Sequence, residues 1–161
     1  MPSVLITGGA GFIGSHLCDR FLALDYRVIC VDNFFNAPKS NIEHILGEES
    51  FTLVEQDACL PLKVKEKLDL VLHFASPATP RIMSSHPVET AKASALGTLH
   101  ALELAKEKQA RFLLASSDGV YGDPIEDIQR ESDFGRVDPT GWRSCYDEAK
   151  RFAESLTMAF H

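Results

Sequence analysis

Clusters of positive charge, long apolar runs and paired cysteines are all scarce in this chain of 161 residues, and each scarcity removes a class of function. Basic residues never gather more densely than in the alternating KVKEK around Lys65, and 23 acidic residues against 16 basic leave a formal charge of −7. Such a surface repels phosphate backbones, so neither nucleic acid nor an anionic membrane is an expected partner. The opening MPSVLITGG has no basic stretch, and its apolar run is shorter than a signal peptide or a membrane span requires. A cytoplasmic protein is expected. Cys18, Cys30, Cys59 and Cys145 are scattered without CxxC spacing, three of them in apolar-periodic segments, which points to buried free thiols rather than a disulfide or zinc site. With 45% apolar residues and no internal repeat, low-complexity tract or linker, residues 1–161 read as one globular domain.

What the chain does contain is an alternation of short β-branched runs with helical patterns. SVLIT (Ser3 to Thr7), RVICVD (Arg27 to Asp32), FTLVEQD (Phe51 to Asp57), LDLVLHFA (Leu68 to Ala75) and RFLLASS (Arg111 to Ser117) are near-continuous apolar runs, the pattern of strands covered on both faces. Between them lie three helical stripes: Ile13, Leu17, Phe21 and Leu24; then Val88, Ala91, Ala95, Leu99 and Leu102 behind Pro87; then Phe152, Leu156 and Phe160. Strand, helix and strand repeated in this way predict a doubly wound α/β fold, a parallel sheet with right-handed crossovers.

Thr7 to Gly14 reads TGGAGFIG, four glycines in eight residues behind the first strand and at the opening of the first helix. Gly9, Gly11 and Gly14 satisfy GxGxxG, and Gly8, Gly11 and Gly14 the GxxGxxG variant. In that context glycine allows a tight turn and leaves room where a pyrophosphate meets backbone N–H groups. Eighteen residues after Gly14, the second strand ends in Asp32, whose carboxylate suits the ribose hydroxyls of an adenosine and repels a 2′-phosphate. NAD is therefore expected rather than NADP. Asp57 and the loop from His73 to Ala78 also fall at C-terminal strand ends, where such sheets bind ligands. Asp57 reads either as an adenine contact or as an Asx turn, and His73 as a satisfied core histidine.

YDEAK places Tyr146 and Lys150 one helical turn apart, so that the ammonium favours the phenolate and makes the phenol a usable base. Ser117, at the expected end of the fifth strand, completes a site in which it bonds a substrate oxygen while Tyr146 takes the proton.

TGGAGFIGSH, VDNFF, HFASPATP, LGTLHALELAK, LLASSDGVYGDP and CYDEAKRFAE together resemble the extended short-chain dehydrogenase/reductases that modify sugar nucleotides. They are most similar to the UDP-glucuronate decarboxylases, with dTDP-glucose 4,6-dehydratases and UDP-galactose 4-epimerases as relatives. The resemblance implies a Rossmann domain that holds NAD through Gly8, Gly11, Phe12, Ile13, Gly14, Asp32, Asn33, Asp57 and Ala75, with Tyr146 and Lys150. It implies a nucleotide-sugar substrate oxidised transiently at C4: Tyr146 takes the O4 proton while Ser117 is bonded to that oxygen. The 4-ketone then lets a C6 carboxylate leave as CO2, giving UDP-xylose. It also implies a homodimer through the helices at 87–108 and 146–161.

Three departures from the family pattern stand out. Gly119 occupies the position where decarboxylases and dehydratases carry a glutamate that handles the C5 proton; Asp118 is the expected partial substitute, and 4-epimerisation, which needs no such acid, is the alternative. Ser94 stands where the family has an asparagine. The chain ends at His161, whereas relatives continue for roughly another domain that grips the substrate. A non-catalytic NAD-binding module is the second expectation, set against an enzyme.

Overall fold

The apolar runs become five parallel strands in a computed structural model that describes residues 1–124 and 128–161. These are β1 (Ser3–Thr7), β2 (Arg27–Asp32), β3 (Phe51–Glu55), β4 (Leu70–His73) and β5 (Arg111–Leu114), in the order β3-β2-β1-β4-β5. Helix α1 (Phe12–Leu22) joins β1 to β2, α2 (Pro80–Ser85) and α3 (Pro87–Lys108) join β4 to β5, and α4 (Ser144–Phe160) follows. The fold is the expected doubly wound α/β arrangement.

Alternate strand residues feed two separate cores, which is what covers a parallel sheet on both faces. Val4, Ile6, Val28 and Cys30 pack with Cys18 of α1, Ile42 and Ile45 on one side. Leu5, Ile29, Val31 and Val71 pack with Ala101, Leu104 and Ala105 of α3 on the other. All five residues of β1 are buried. Burying a Leu5 or Ile6 side chain stabilises the fold by about 1.5–3 kcal/mol each. Register brings Thr7 beside both Val31 and His73, and Asp32 beside Glu55, so the C-terminal strand ends form one rim. The sheet reverses direction of winding between β1 and β4, where such sheets open a ligand crevice.

Several expectations require correction. β3 stops at Glu55 and β4 at His73, leaving Asp57 and Ala75 in the loops beyond them. β5 stops at Leu114 because its partner β4 ends at His73, whose carbonyl accepts the last cross-strand bond from Ala115. Ser117 is therefore the residue preceding a 3-10 turn, Asp118–Tyr121, rather than a strand end. β3 and β5 are only half covered, since each is an edge of the sheet. Helix α2 and the 3-10 turns at Lys39–Asn41 and Glu43–Ile45 carry no strong periodic signal and were not anticipated.

The helical stripes also face differently from expectation. Ile13 is exposed on α1, and Leu24 lies past that helix's end. On α3 the first turns bury a small and polar face, Thr90, Ser94, Gly97, Thr98 and Ala101, and only the last turns bury large residues, Leu104 and the expected Leu102; Val88 is exposed and Ala91, Ala95 and Leu99 are half-buried. Close approach of α3 to its neighbours selects small side chains over large ones. Phe152 and Phe160 of α4 are exposed for the same reason, and Ala149 and Ala153 fill the contact. Of the four free cysteines, Cys18 and Cys30 are buried, whereas Cys59 and Cys145 are only half-buried. Among the described residues no helix is long and apolar enough to cross a membrane, and no group of three or more His, Cys, Asp or Glu could hold a metal.

Candidate active site

The glycine turn is fixed by two glycines and left open by a third. Gly8 has φ +70°, and a Cβ there would lie 2.7–2.8 Å from the Phe74–Ala75 backbone, so the turn rests directly on the loop after β4. A Cβ at Gly14 would collide with the Gly8 carbonyl, which ties α1 to the turn. A Cβ at Gly11 would meet only the Gly8 oxygen, at 3.1 Å, with open space beyond. Gly11 is the N-cap of α1, which has no side-chain cap and no acidic residue in its first turn. Its first N–H groups thus lack intrahelical partners and present the positive end of the helix dipole.

Gly8, Gly11, Phe12, Ile13 and Gly14 border a cleft of about 800 Å³, within the range of small-molecule sites. Its far wall contains Asp32, Asn33, Asp57 and Ala75, so every residue expected to hold the dinucleotide's adenosine and pyrophosphate lies on one surface. Asp32 is buried and braces the turn: Oδ2 accepts the Ala10 N–H and Oδ1 the Phe34 N–H, both at 2.9 Å. Each carboxylate oxygen has a second lone pair for a ribose hydroxyl. Asn33 accepts the Phe35 N–H at 3.1 Å, and Asp57 the Cys59 N–H at 2.8 Å. Asp57 is therefore an Asx turn that also lines the cleft. An open-backed glycine, an uncapped helix start and a rim carboxylate fit a dinucleotide.

Sequence reasoning missed Asn41 and Lys92. Asn41 donates to the Ala10 carbonyl at 2.8 Å and lines the cleft from the 3-10 segment after β2. Lys92 lines the cleft from α3, among the described residues the one Lys or Arg on a wall that carries Asp32, Asp57 and Glu89. Neither sits in a motif, so only the tertiary fold could reveal them. His73 lies in the core as expected but is only half satisfied: Nδ1 bonds Thr7 Oγ1 at 2.7 Å, and that same oxygen accepts the Ala75 N–H at 3.3 Å, whereas the buried Nε2 has no partner among the described residues. Burial first, and the Lys150 charge second, hold the His73 ring neutral by pulling it down to about 3. The Thr7–His73 pair thus pins the loop on which the glycine turn rests.

The lining of the cleft stops short of Tyr146 and Lys150, which pair with each other on α4, and of Ser117. Lys150 Nζ lies 5.7 Å from the Tyr146 ring centroid and donates to the Ala115 carbonyl at 2.7 Å. Both residues are buried, and desolvation pulls the Lys150 ammonium down to about 8. Ala115 in turn donates its N–H to the His73 carbonyl, and the next residues, Phe74 and Ala75, line the cleft, so the two regions adjoin. Ser117 donates from Oγ to Asp118 Oδ1 and accepts the Gly119 N–H, each at 3.1 Å. Asp118 is exposed beside the hydroxyl, while Gly119 is buried against Asp147 of α4. Ser94 is fully buried and bonds Ser76 of the cleft wall at 2.9 Å.

Known proteins of similar sequence are sugar-nucleotide enzymes. UDP-glucuronic acid decarboxylase 4 of Arabidopsis thaliana is 48% identical over 98% of this chain and 35% of its own length. UDP-glucuronic acid decarboxylase 1 of Danio rerio is 47% identical over 98% of this chain and 37% of its own length. The chain thus spans little more than a third of those relatives. A solved UDP-galactose 4-epimerase superposes with a TM-score of 0.83 at 29% identity, covering 98% of this chain and 51% of that one. The family model that matches residues 4–161 is that of the NAD dependent epimerase/dehydratase family, and the chain belongs to that family.

Proposed function

We propose that this chain is the cofactor-binding part of an NAD-dependent nucleotide-sugar enzyme, and that its reaction is decarboxylation of UDP-glucuronate to UDP-xylose. The observation that carries this reading is the adjacency of the dinucleotide-shaped cleft to a buried Tyr146–Lys150 pair with Ser117 nearby. Similarity of 48% to a UDP-glucuronic acid decarboxylase favours that sugar over others.

In this reading Gly8, Gly11 and Gly14 shape the pyrophosphate cradle, Phe12 and Ile13 supply N–H groups from the first turn of α1, and Asp32 bonds the adenosine ribose. Asn33 and Asp57 border the adenosine, and Ala75 the floor beneath the nicotinamide. A bound NAD would supply reversible hydride chemistry at the sugar C4. Tyr146 takes the O4 proton, and Lys150, buried and held by the Ala115 carbonyl, stabilises the phenolate. Ser117 bonds O4 by turning its hydroxyl away from Asp118. Four unpaired thiols suit a cytoplasmic setting. Outward-facing apolar groups on α3 and α4, with Val88 56% and Phe152 51% exposed, support a homodimer through those helices.

Incubation with NAD⁺ and UDP-glucuronate tests the reading. Release of CO2 with formation of UDP-xylose is the expected result. Interconversion of UDP-glucose and UDP-galactose instead would establish the epimerase alternative, which Gly119 favours by offering no carboxylate at that position. Cofactor binding with no turnover of either substrate would leave a binding module.

A further inference from the structure

Decarboxylation at C5 needs more than a base at O4. When the C5–C6 bond breaks, CO2 departs and its electron pair is left in an enolate spread over C5, C4 and O4. A proton must then be placed on C5, and on one face only if a single product is to form. C5 is bonded to C4, so the group that delivers this proton has to stand within a few ångströms of the Ser117 hydroxyl that holds O4.

Among the described residues, two carboxylates approach that place. Asp118, which accepts the Ser117 hydroxyl at 3.1 Å, is exposed, so a proton it carried would exchange freely with water. Asp147 is different. It follows Tyr146 on α4, its side chain is 9% exposed, and Arg143 Nη2 holds its Oδ1 at 3.2 Å. That oxygen lies against Gly119, where any Cβ would collide with it; the same Cβ would stand 3.4 Å from Ser117 Oγ. The space left by the absent side chain at 119 is therefore filled by a carboxylate from α4, bordering the hydroxyl that binds O4.

We propose that Asp147 is the proton donor to C5, using the room that Gly119 leaves, so that the carboxylate missing from the 3-10 turn is supplied by the helix. This rests on the decarboxylase reading above. The Asp147 carboxyl, protonated from solvent, gives its proton to C5, the enolate electron pair forms the C5–H bond, and the carboxylate that remains pairs with Arg143 until it takes the next proton from solvent, one proton being consumed for each CO2 released. Arg143, whose side chain is 47% exposed, holds the carboxylate that remains and connects it to solvent.

Deuterium stereochemistry tests this. In D2O with NAD⁺ and UDP-glucuronate, the protein should make UDP-xylose with one deuterium on a single face of C5. Asp147→Asn should still reduce nicotinamide transiently, because Tyr146, Lys150 and Ser117 are intact. It should form labelled product more slowly, on the order of a hundredfold, with deuterium on both faces. Gly119→Ala, which removes no functional group but displaces the carboxylate, should scramble the label in the same way; it carries the test if Asp147→Asn does not fold. One-face labelling at the normal rate in either folded variant would overturn the role of Asp147 and leave the decarboxylase reading standing. Absence of nicotinamide reduction and of any C5 label in the unaltered protein would overturn that reading, and this proposal with it.

Discussion

Asp32 performs two tasks with one carboxylate, and they separate under mutation. Its oxygens accept the Ala10 and Phe34 N–H groups at 2.9 Å while facing the cleft. Asp32→Ala should weaken NAD⁺ binding by roughly 10- to 100-fold, the loss of one charge-assisted bond at about 1.5–3 kcal/mol, as measured by calorimetry. It should also lower the melting temperature, since two backbone donors lose their partner. His73 carries a pH dependence of definite sign. Its ring is held neutral down to about 3 in the fold but takes a proton near 6.5 when unfolded. As pH falls below about 6.5 the unfolded chain therefore gains protons first, and stability is lost progressively toward pH 3. His73→Asn, which keeps an acceptor for Thr7, should flatten the urea-denaturation midpoint between pH 6.5 and 4; an unchanged slope would remove His73 from that role.

At the scale of elements, the glycine turn divides into a part that folds and a part that binds. Gly8→Ala puts a Cβ into the Phe74–Ala75 backbone at a left-handed φ of +70° and should cost about 2–4 kcal/mol in chemical denaturation. Gly11→Ala meets only one oxygen at 3.1 Å, so it should change stability by less than about 1 kcal/mol while depressing NAD⁺ affinity. The turn, the alternation of strands and helices and the Tyr146–Lys150 spacing are all legible in the sequence because each depends on local pattern. Ser117 was found by type but placed wrongly: apolar content runs on to Ala115, whereas β5 must end where β4 runs out of partners. Residues such as Asn41 and Lys92 left no trace in the sequence, since they reach the cleft only after chain segments far apart are brought together. The α3 stripe misled for a related reason, because tight packing against the sheet and α4 selects Thr90, Ser94 and Gly97 over the larger residues that periodicity favours.

For the whole molecule, those displaced large residues define an outer surface. Val88, Leu99, Phe152 and Leu156 remain exposed or half-buried on α3 and α4, enough to predict self-association. Light scattering at micromolar concentration should report a dimer, and Phe152→Glu should shift it to monomer with the melting temperature nearly unchanged. The central claim is that the cleft between the glycine turn and the β4 loop holds NAD and aims it at Tyr146. Calorimetric titration of the cofactor-stripped protein with NAD⁺ and NADP⁺ examines it most directly, with Gly11→Ala as the comparison. The account predicts a saturable NAD⁺ isotherm, NADP⁺ weaker by at least about tenfold, and loss of both in folded Gly11→Ala. Equal affinity for the two cofactors, or undiminished NAD⁺ binding once Gly11 carries a side chain, would contradict it.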